Sequence, residues 1–135
     1  MTEYGEKFDR FVEIVKELRS ENGCPWDKEQ SPASLKRYLL EETQEAIEAI
    51  TANNHQHIKD ELGDILYIIV LLAHIHNEED LFNMGNVIEA ITDKMIRRHP
   101  HVFSDEKIET VAELRKKWLE IKDIEKSSSI IPKKN

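Results

Sequence analysis

Residues 65–73 have the sequence Ile-Leu-Tyr-Ile-Ile-Val-Leu-Leu-Ala, the most apolar stretch of this 135-residue chain. A helix that is apolar on every face has to be enclosed on every side. The stretch is about half of the ~20 residues that a membrane-spanning helix needs, and Asp64 and His74 flank it, so it predicts a buried helix and no membrane partner. Because 135 residues offer few other elements to cover it, we expect a homodimer or higher homo-oligomer with this helix at its centre.

Apolar residues on both sides of this stretch recur at three- and four-residue intervals, which is the helical period. The intervals predict helices over about residues 6–21, 32–52, 55–76, 84–99 and 109–125. Residues 22 and 23 end the first helix, and a loop follows at residues 24–30. Ser31 is placed to cap the second helix, and Pro32 occupies its first position. No strand-like alternation interrupts the pattern. The predicted fold class is all-α, a bundle of four to five helices completed by oligomerisation.

Length and charge narrow the domain organisation and the partners. The length fits one domain, predicted at residues 1–126 and followed by a flexible tail at residues 127–135. With 19 Lys and Arg against 27 Asp and Glu, the net charge of −8 repels polyanions and predicts no nucleic-acid partner. The single Cys24 cannot form an intramolecular disulfide, and the N-terminus has no signal-peptide pattern, so a cytoplasmic location is expected.

Two consecutive predicted helices carry clustered carboxylates. The second carries Glu41, Glu42, Glu45 and Glu48, and the third carries Asp60, Glu61 and Asp64. Spacings of three or four residues place two carboxylates on one helix face, at a cost of roughly 0.2–0.5 kcal/mol per like-charged pair. A bound divalent cation would offset this cost. If the short turn at residues 52–54 makes the two helices antiparallel neighbours, four oxygen-bearing side chains converge, a donor set that suits Mg²⁺ or Mn²⁺.

A solvated acidic face and a di-iron bundle are the alternatives to such a site. A run of glutamates is ordinarily a solvated face. Asp64 argues against that here, because it directly precedes nine apolar residues on a helix that should be enclosed, where an unpaired carboxylate is costly. A di-iron bundle uses Glu-x-x-His on two helices. No Glu in this chain has His at the third position after it, which disfavours a di-iron site.

The carboxylates also lie in a recognisable motif. Glu41-Glu42-Thr43-Gln44-Glu45, followed after fifteen residues by Glu61-Leu62-Gly63-Asp64, resembles the EExxE…ExxD signature of the MazG family of nucleoside triphosphate pyrophosphohydrolases. Residues 22–30, 94–103 and 118–122 resemble further family segments in the same order. The resemblance covers roughly residues 8–125. It implies an all-α enzyme that depends on Mg²⁺, for which Mn²⁺ can substitute, and that acts on a nucleoside triphosphate.

Matching motif positions imply roles for the acidic residues. The metal ligands would be Glu42, Glu45, Glu61 and Asp64. Glu41 and Glu45 are the expected catalytic carboxylates. Glu41 would orient a water, accept a proton or help to bind another ion.

Five residues outside the acidic motif are predicted to bind substrate. Lys94 and Arg98, one turn apart, form a basic cluster that either contacts phosphates or complements a helix dipole, and the resemblance favours phosphates. Trp118 and Lys122, also one turn apart, would offer an aromatic face and a charge, although a tryptophan at this spacing is often a core residue. Trp26 either stacks on a base or packs its loop against the bundle.

The resemblance to the MazG family implies a Mg²⁺-dependent enzyme that hydrolyses the bond between the α and β phosphates of nucleoside triphosphates. The products would be a nucleoside monophosphate and pyrophosphate, and the expected role is housecleaning of the nucleotide pool. One alternative is a narrower pyrophosphatase, specific for phosphoribosyl-ATP or for a deoxynucleotide. An alternative of another class is a non-catalytic helical dimerisation module whose acidic face binds a basic partner.

Overall fold

The computed structural model describes residues 2–128, and every regular element within that range is a helix. The helices are α1 (Glu3–Arg19), α2 (Pro25–Glu29), α3 (Pro32–Thr51), α4 (His55–Glu78), α5 (Met84–Arg98), α6 (Pro100–Phe103) and α7 (Val111–Ser128). The all-α fold class is confirmed. The predicted tail begins at residue 127, but α7 includes residues 127 and 128, and residues 129–135 lie outside the described range.

Five of these helices correspond to the predicted ones, and two short helices, α2 and α6, were not predicted. The segment at residues 24–30 is predicted to be a loop, yet α2 occupies most of it and begins at Pro25, a position where proline is favourable. A helix of four or five residues makes little more than one turn. Such a helix cannot display a repeating apolar period, so the pattern could not identify it.

The chain divides into two compact units, the first ending at Met84 and the second beginning at Gly85. The first unit contains α1 to α4, and the second contains α6, α7 and all of α5 except its first residue. The predicted domain boundary at residue 126 stays a prediction.

An apolar core joins three helices of the first unit. It contains Val15 from α1, Leu35 from α3, and Val70, Leu71 and Ile75 from α4. Full burial of a leucine or valine contributes roughly 1.5–3 kcal/mol to the free energy of folding. Because Leu35, near the start of α3, packs with Leu71 of α4, the two helices run antiparallel.

The turn between α3 and α4 fixes this antiparallel arrangement. Asn53 adopts the left-handed conformation (φ 52°), which asparagine tolerates better than most residues. The side chain of Asn54 then caps α4 by accepting a hydrogen bond from the backbone N–H of His57 at 3.2 Å. Two local residue choices therefore set the register of the helix pair that carries the carboxylates.

The apolar stretch at residues 65–73 is only partly enclosed by its own chain. Val70 and Leu71 are buried, whereas Leu66 is 37% exposed. Leu62, one turn earlier on α4, is 57% exposed, and Leu40 on α3 is 70% exposed. The expectation of full enclosure is not met within the first unit, and the predicted oligomer stays a prediction. Within residues 2–128, no helix combines the length and the apolar character that a membrane span requires.

Arg19 anchors the short helix α2 to the first unit. Its Nη1 donates hydrogen bonds to the carbonyl oxygens of Asp27 and Gln30, both at 2.7 Å, and its guanidinium pairs with Glu78 of α4 at 3.0 Å. The buried Asp27 carboxylate accepts a hydrogen bond from the hydroxyl of Tyr67. The Asp27 carbonyl also accepts a hydrogen bond from the backbone N–H of Gln30 at 3.3 Å, so Arg19 adds a second hydrogen bond at the end of α2.

Candidate metal centre

Three predicted metal ligands come together where α3 and α4 run side by side. Glu42 and Glu45 of α3 and Glu61 of α4 each offer a carboxylate oxygen, and these three atoms lie within 4.8 Å of one another. The three-residue spacing turns the α3 pair to the same face, and the antiparallel turn brings Glu61 opposite. We call these residues the acidic cluster. Three carboxylate oxygens this close together are able to hold a hard divalent cation.

Two oxygens of the acidic cluster have no partner within residues 2–128. Glu42 Oε2 and Glu61 Oε2 are shielded from solvent and form no hydrogen bond in that range. A buried polar atom left without a partner costs about 1–3 kcal/mol, and more if it is charged. A divalent cation would satisfy both oxygens at once, so the residues fit the metal that the sequence predicts.

The pKa values of the cluster change as crowded carboxylates require. Partial burial, the closeness of the Glu61 carboxyl group and the negative charges of Glu45 and Asp64 together raise the pKa of Glu42 to about 7. Partial burial also raises the pKa of Glu61. The interaction with Glu42 opposes this rise, and the charges of Glu45 and Asp64 add to it. A bound cation would favour the charged forms and reverse these shifts.

Asp64 and Glu41 lie outside the close cluster. Asp64 is exposed, so the expectation that it is buried is wrong: α4 packs through the face that carries Val70 and Leu71, and the other face meets solvent in this chain. Its negative charge nevertheless helps to raise the pKa values of Glu42 and Glu61. Glu41 is exposed and pairs with Arg37 at 3.8 Å.

A cleft of about 460 Å³ opens beside the acidic cluster. It is lined by Glu45, Glu48, Ala49, Ala52, His57 and Glu61. The small alanine side chains leave space between the two helices, which suits water and a phosphate group next to a metal. No role was predicted for Glu48 or His57, because their place on this cleft follows from the α3–α4 turn and from no local motif.

Trp26 lines a second cleft of the first unit, also of about 460 Å³, together with Arg37 and Tyr38. The Trp26 and Tyr38 rings meet edge to face with their centroids 5.2 Å apart. The Arg37 guanidinium lies 4.9 Å from the Tyr38 ring centroid and donates to the Tyr38 hydroxyl at 3.0 Å. Trp26 therefore has both a packing partner and an open face, so stacking and packing both remain compatible with its position.

The other predicted substrate-binding residues belong to the second unit. Arg98 Nη2 contacts Glu125 Oε1 at 3.1 Å, while Arg98 Nε is buried and has no hydrogen-bond partner among the described residues. The indole N–H of Trp118 donates to the backbone carbonyl of Arg98. Lys94 is partly buried and Lys122 is exposed, and within residues 2–128 neither forms an ion pair.

Sequence reasoning missed Glu125. The residue continues the apolar stripe of Trp118 and Ile121 on α7, and it is 3% exposed. A charged residue on an apolar stripe is the signal that could have identified it, because a carboxylate in such a place needs a positively charged partner.

A family model and several curated proteins that resemble this chain carry the same description, that of a nucleotide pyrophosphohydrolase. Residues 30–103 match the family model of the MazG nucleotide pyrophosphohydrolase domain. The chain is 43% identical over 122 residues to a nucleoside triphosphate pyrophosphohydrolase of Escherichia coli (strain K12), covering 90% of this chain and 46% of that protein. It is 44% identical over 126 residues to a nucleoside triphosphate pyrophosphohydrolase/pyrophosphatase MazG of Thermotoga maritima, covering 93% of this chain and 48% of that protein.

Two further similarities concern an uncharacterised relative and a solved structure. The protein YabN of Bacillus subtilis (strain 168) is 45% identical over 123 residues, which cover 91% of this chain and 25% of that protein. The crystal structure of a mazG-related protein from Thermotoga maritima superimposes with a TM-score of 0.70 at 31% identity, covering 85% of this chain and 98% of that one. The chain thus spans about half, or less, of the length of these curated relatives.

Proposed function

Because this chain belongs to the MazG nucleotide pyrophosphohydrolase family, we propose that it is a hydrolase of nucleoside triphosphates that uses Mg²⁺ as its cofactor. It would cleave the bond between the α and β phosphates and release a nucleoside monophosphate and pyrophosphate. The single observation that carries the proposal is the convergence of Glu42, Glu45 and Glu61, with two shielded oxygens that form no hydrogen bond within the described residues.

The proposed metal ligands are Glu42, Glu45, Glu61 and Asp64. Asp64 is included because its carboxylate is exposed on α4 one turn from Glu61, and its negative charge contributes to the raised pKa of Glu42. When bound, Mg²⁺ would neutralise phosphate oxygens of the substrate, and Mn²⁺ would substitute for it. The cleft beside the cluster leaves the room that such an ion needs for water and phosphate, since Mg²⁺ keeps several of its waters.

Glu41 and Glu45 are the proposed catalytic carboxylates. One of them would accept the proton of the water whose oxygen attacks the α phosphorus. The bond from that phosphorus to the bridging oxygen breaks, and its electron pair leaves with pyrophosphate. Glu45 lines the cleft, and Glu41 is exposed on the same helix, so both can reach solvent water.

Lys94, Arg98, Trp118, Lys122 and Trp26 are the proposed substrate-binding residues. A departing pyrophosphate requires positive charge, which Lys94 and Arg98 would provide. The buried Nε of Arg98, which has no hydrogen-bond partner in the described chain, supports this role for that residue. Trp26 and Trp118 would provide aromatic faces for a base, and Lys122 a further charge.

We also propose a homodimer or higher homo-oligomer in the cytoplasm that clears unwanted nucleotides from the pool. The support for assembly is the exposed apolar surface of α3 and α4, which includes Leu40 and Leu62. Light scattering after size-exclusion chromatography tests it. A monomer at micromolar concentration would contradict this part of the proposal.

A pyrophosphate-release assay over a panel of nucleotides, with and without Mg²⁺, tests the activity. We expect Mg²⁺-dependent release with ribonucleoside and deoxyribonucleoside triphosphates. Release confined to deoxynucleotides or to phosphoribosyl-ATP would narrow the substrate, and no release from any nucleotide would refute the enzyme proposal in favour of a binding module. The Glu61→Ala variant is the negative control for contaminating hydrolases.

A further inference from the structure

Within the described part of the second unit, one carboxylate is deeply buried, and two arginines share it. Glu125 of α7 is 3% exposed. Its partners, Arg97 and Arg98, are consecutive residues at the end of α5. A single guanidinium is enough to neutralise one carboxylate, so a group of two guanidinium groups and one carboxylate keeps one positive charge.

The two arginines share Glu125 unequally. Arg97 directs both Nε and Nη2 to Glu125 Oε2, each at 2.8 Å. Arg98 contributes only Nη2, at 3.1 Å from Glu125 Oε1. Arg97 thus provides the main countercharge of Glu125, and Arg98 is held by a single contact.

Arg98 keeps unused donors as a result. Its Nε is buried and forms no hydrogen bond within residues 2–128, which is costly for a charged group. The main chain of Arg98 is held independently, because the indole N–H of Trp118 donates to its carbonyl oxygen. The guanidinium is thus held by Glu125, the backbone of the same residue is held by Trp118, and one guanidinium donor stays unsatisfied. Such a donor is available to an incoming acceptor, and phosphate is an acceptor that matches guanidinium geometry.

The contacts of Glu125 favour the ionised form of its carboxyl group. Burial alone would raise the pKa of its carboxyl group, but the hydrogen bonds and positive charges of Arg97 and Arg98 hold that pKa below its usual range. Glu125 therefore remains a carboxylate at neutral pH and keeps its hold on the side chain of Arg98.

We propose that Glu125 is a positioning residue, which orients the guanidinium of Arg98 so that its free donors bind a phosphate group of the substrate. The inference rests on the proposed function, since it takes the phosphate from that substrate. Glu125 contacts no substrate itself and acts through Arg98. The variant that removes its charge at constant shape is Glu125→Gln, and Glu120→Gln is its matched control, because Glu120 lies on the same helix and is exposed.

The first experiment compares KM, kcat, inhibition by inorganic pyrophosphate and melting temperature in these two variants. For Glu125→Gln we expect the KM for the triphosphate and the inhibition constant of pyrophosphate to rise about tenfold, with kcat changed less than about threefold. Glu120→Gln should match the parent protein. A lower melting temperature of Glu125→Gln with unchanged KM and unchanged inhibition would overturn the proposal, because a merely structural residue behaves in that way.

A double-mutant cycle identifies the residue through which Glu125 acts. In an Arg98→Gln background, Glu125→Gln should no longer change pyrophosphate inhibition, whereas in an Arg97→Gln background it should still weaken inhibition. An equal effect of Glu125→Gln with and without Arg98 would overturn the proposal.

Calorimetric titration with magnesium pyrophosphate separates this inference from the proposed activity, because binding requires no hydrolysis. Binding weakened about tenfold in Glu125→Gln supports the inference even if the parent protein hydrolyses no nucleotide. Absence of pyrophosphate binding by the parent protein would overturn it.

If Glu125→Gln lacks the helical circular-dichroism signal, Glu125→Asp takes its place. Its shorter side chain should weaken binding by about threefold or more, and unchanged binding would contradict the proposal.

Discussion

The two units differ in what balances the negative charge of their shielded carboxylates. In the first unit, the acidic cluster brings three glutamates together, and two of their oxygens have no partner within the described residues. In the second, Glu125 alone is paired with two guanidinium groups. The pKa values differ accordingly: the pKa of Glu42 is raised to about 7, and the pKa of Glu125 is lowered.

This difference indicates where each site obtains its countercharge. Glu125 obtains it from its own chain, so the second unit needs no added ion to keep that carboxylate charged. The acidic cluster has no such partner among the described residues, and its carboxylates either take up protons or bind a cation. The repulsion within the cluster therefore favours a metal site, whereas the Glu125 group serves as a fixed internal support.

Removal of a ligand from the acidic cluster should have the largest effect. We expect Glu61→Ala and Asp64→Ala each to lower the rate of pyrophosphate release by about a hundredfold or more, because a cation held by fewer ligands cannot stabilise the phosphate charge. The circular-dichroism spectra of both variants should keep the helical signal of the parent protein. Asp60→Ala is the matched control, since Asp60 is an exposed residue of α4 next to Glu61. Turnover by either ligand variant at the rate of this control would refute the site assignment.

Addition of Mg²⁺ should have the second largest effect. A ligand that binds only the folded state at about a hundred times its dissociation constant stabilises it by about 2.7 kcal/mol. We expect a saturable rise in melting temperature that Glu61→Gln removes and Glu125→Gln retains. A weak response without saturation would instead indicate a solvated acidic face, and loss of the response in Glu125→Gln would remove the contrast between the two sites.

A smaller effect should come from pH in the absence of metal. The folded-state pKa of Glu42, about 7, lies above its ordinary value of 4.5. Its contribution to stability is therefore full below about pH 4.5 and is lost as the pH rises through 7. Urea unfolding should give a free energy that falls between about pH 5 and 8 by on the order of 1 kcal/mol. Glu42→Gln should flatten this change, and an identical decline in that variant would assign it to other groups.

The smallest predicted effect is the opposite pH dependence of Glu125. Its folded-state pKa is lowered, so its stabilising contribution is present above the ordinary value of 4.5 and is lost as the pH falls below it. In the absence of Mg²⁺, Glu125→Gln should therefore reduce the steepness with which acid lowers the free energy of unfolding. The slope of unfolding free energy against pH between about pH 3 and 5 measures this contribution. Equal slopes in the parent and variant proteins would contradict it.

The parts of the molecule that sequence could predict are those set by local spacing. The interval between Glu42 and Glu45 determines a shared helix face, and the three-residue turn before His55 determines an antiparallel partner, so the three carboxylates of the cluster could be expected together. Helical periodicity identified α1, α3, α4, α5 and α7 for the same reason.

The parts that could not be predicted depend on tertiary packing. The burial of Asp64 was expected from its neighbours in sequence, yet which face of α4 packs against the core is set by α1 and α3. Glu125 finds its arginine partners only when the end of α5 packs against α7. The place of His57 on the cleft follows from the turn between α3 and α4. The spacing on α7 marks Glu125 as a charge on an apolar stripe, but it does not identify Arg97 and Arg98 as its partners.

The central claim is that the acidic cluster binds one divalent cation with its own carboxylates. Electron paramagnetic resonance of free Mn²⁺ during titration into the protein measures such binding directly, with no substrate present. We expect saturable binding that Mg²⁺ displaces, that Glu45→Gln removes and that Glu17→Gln, an exposed change on α1, leaves intact. Linear, unsaturated uptake by the parent protein, or equal binding by Glu45→Gln, would contradict the account.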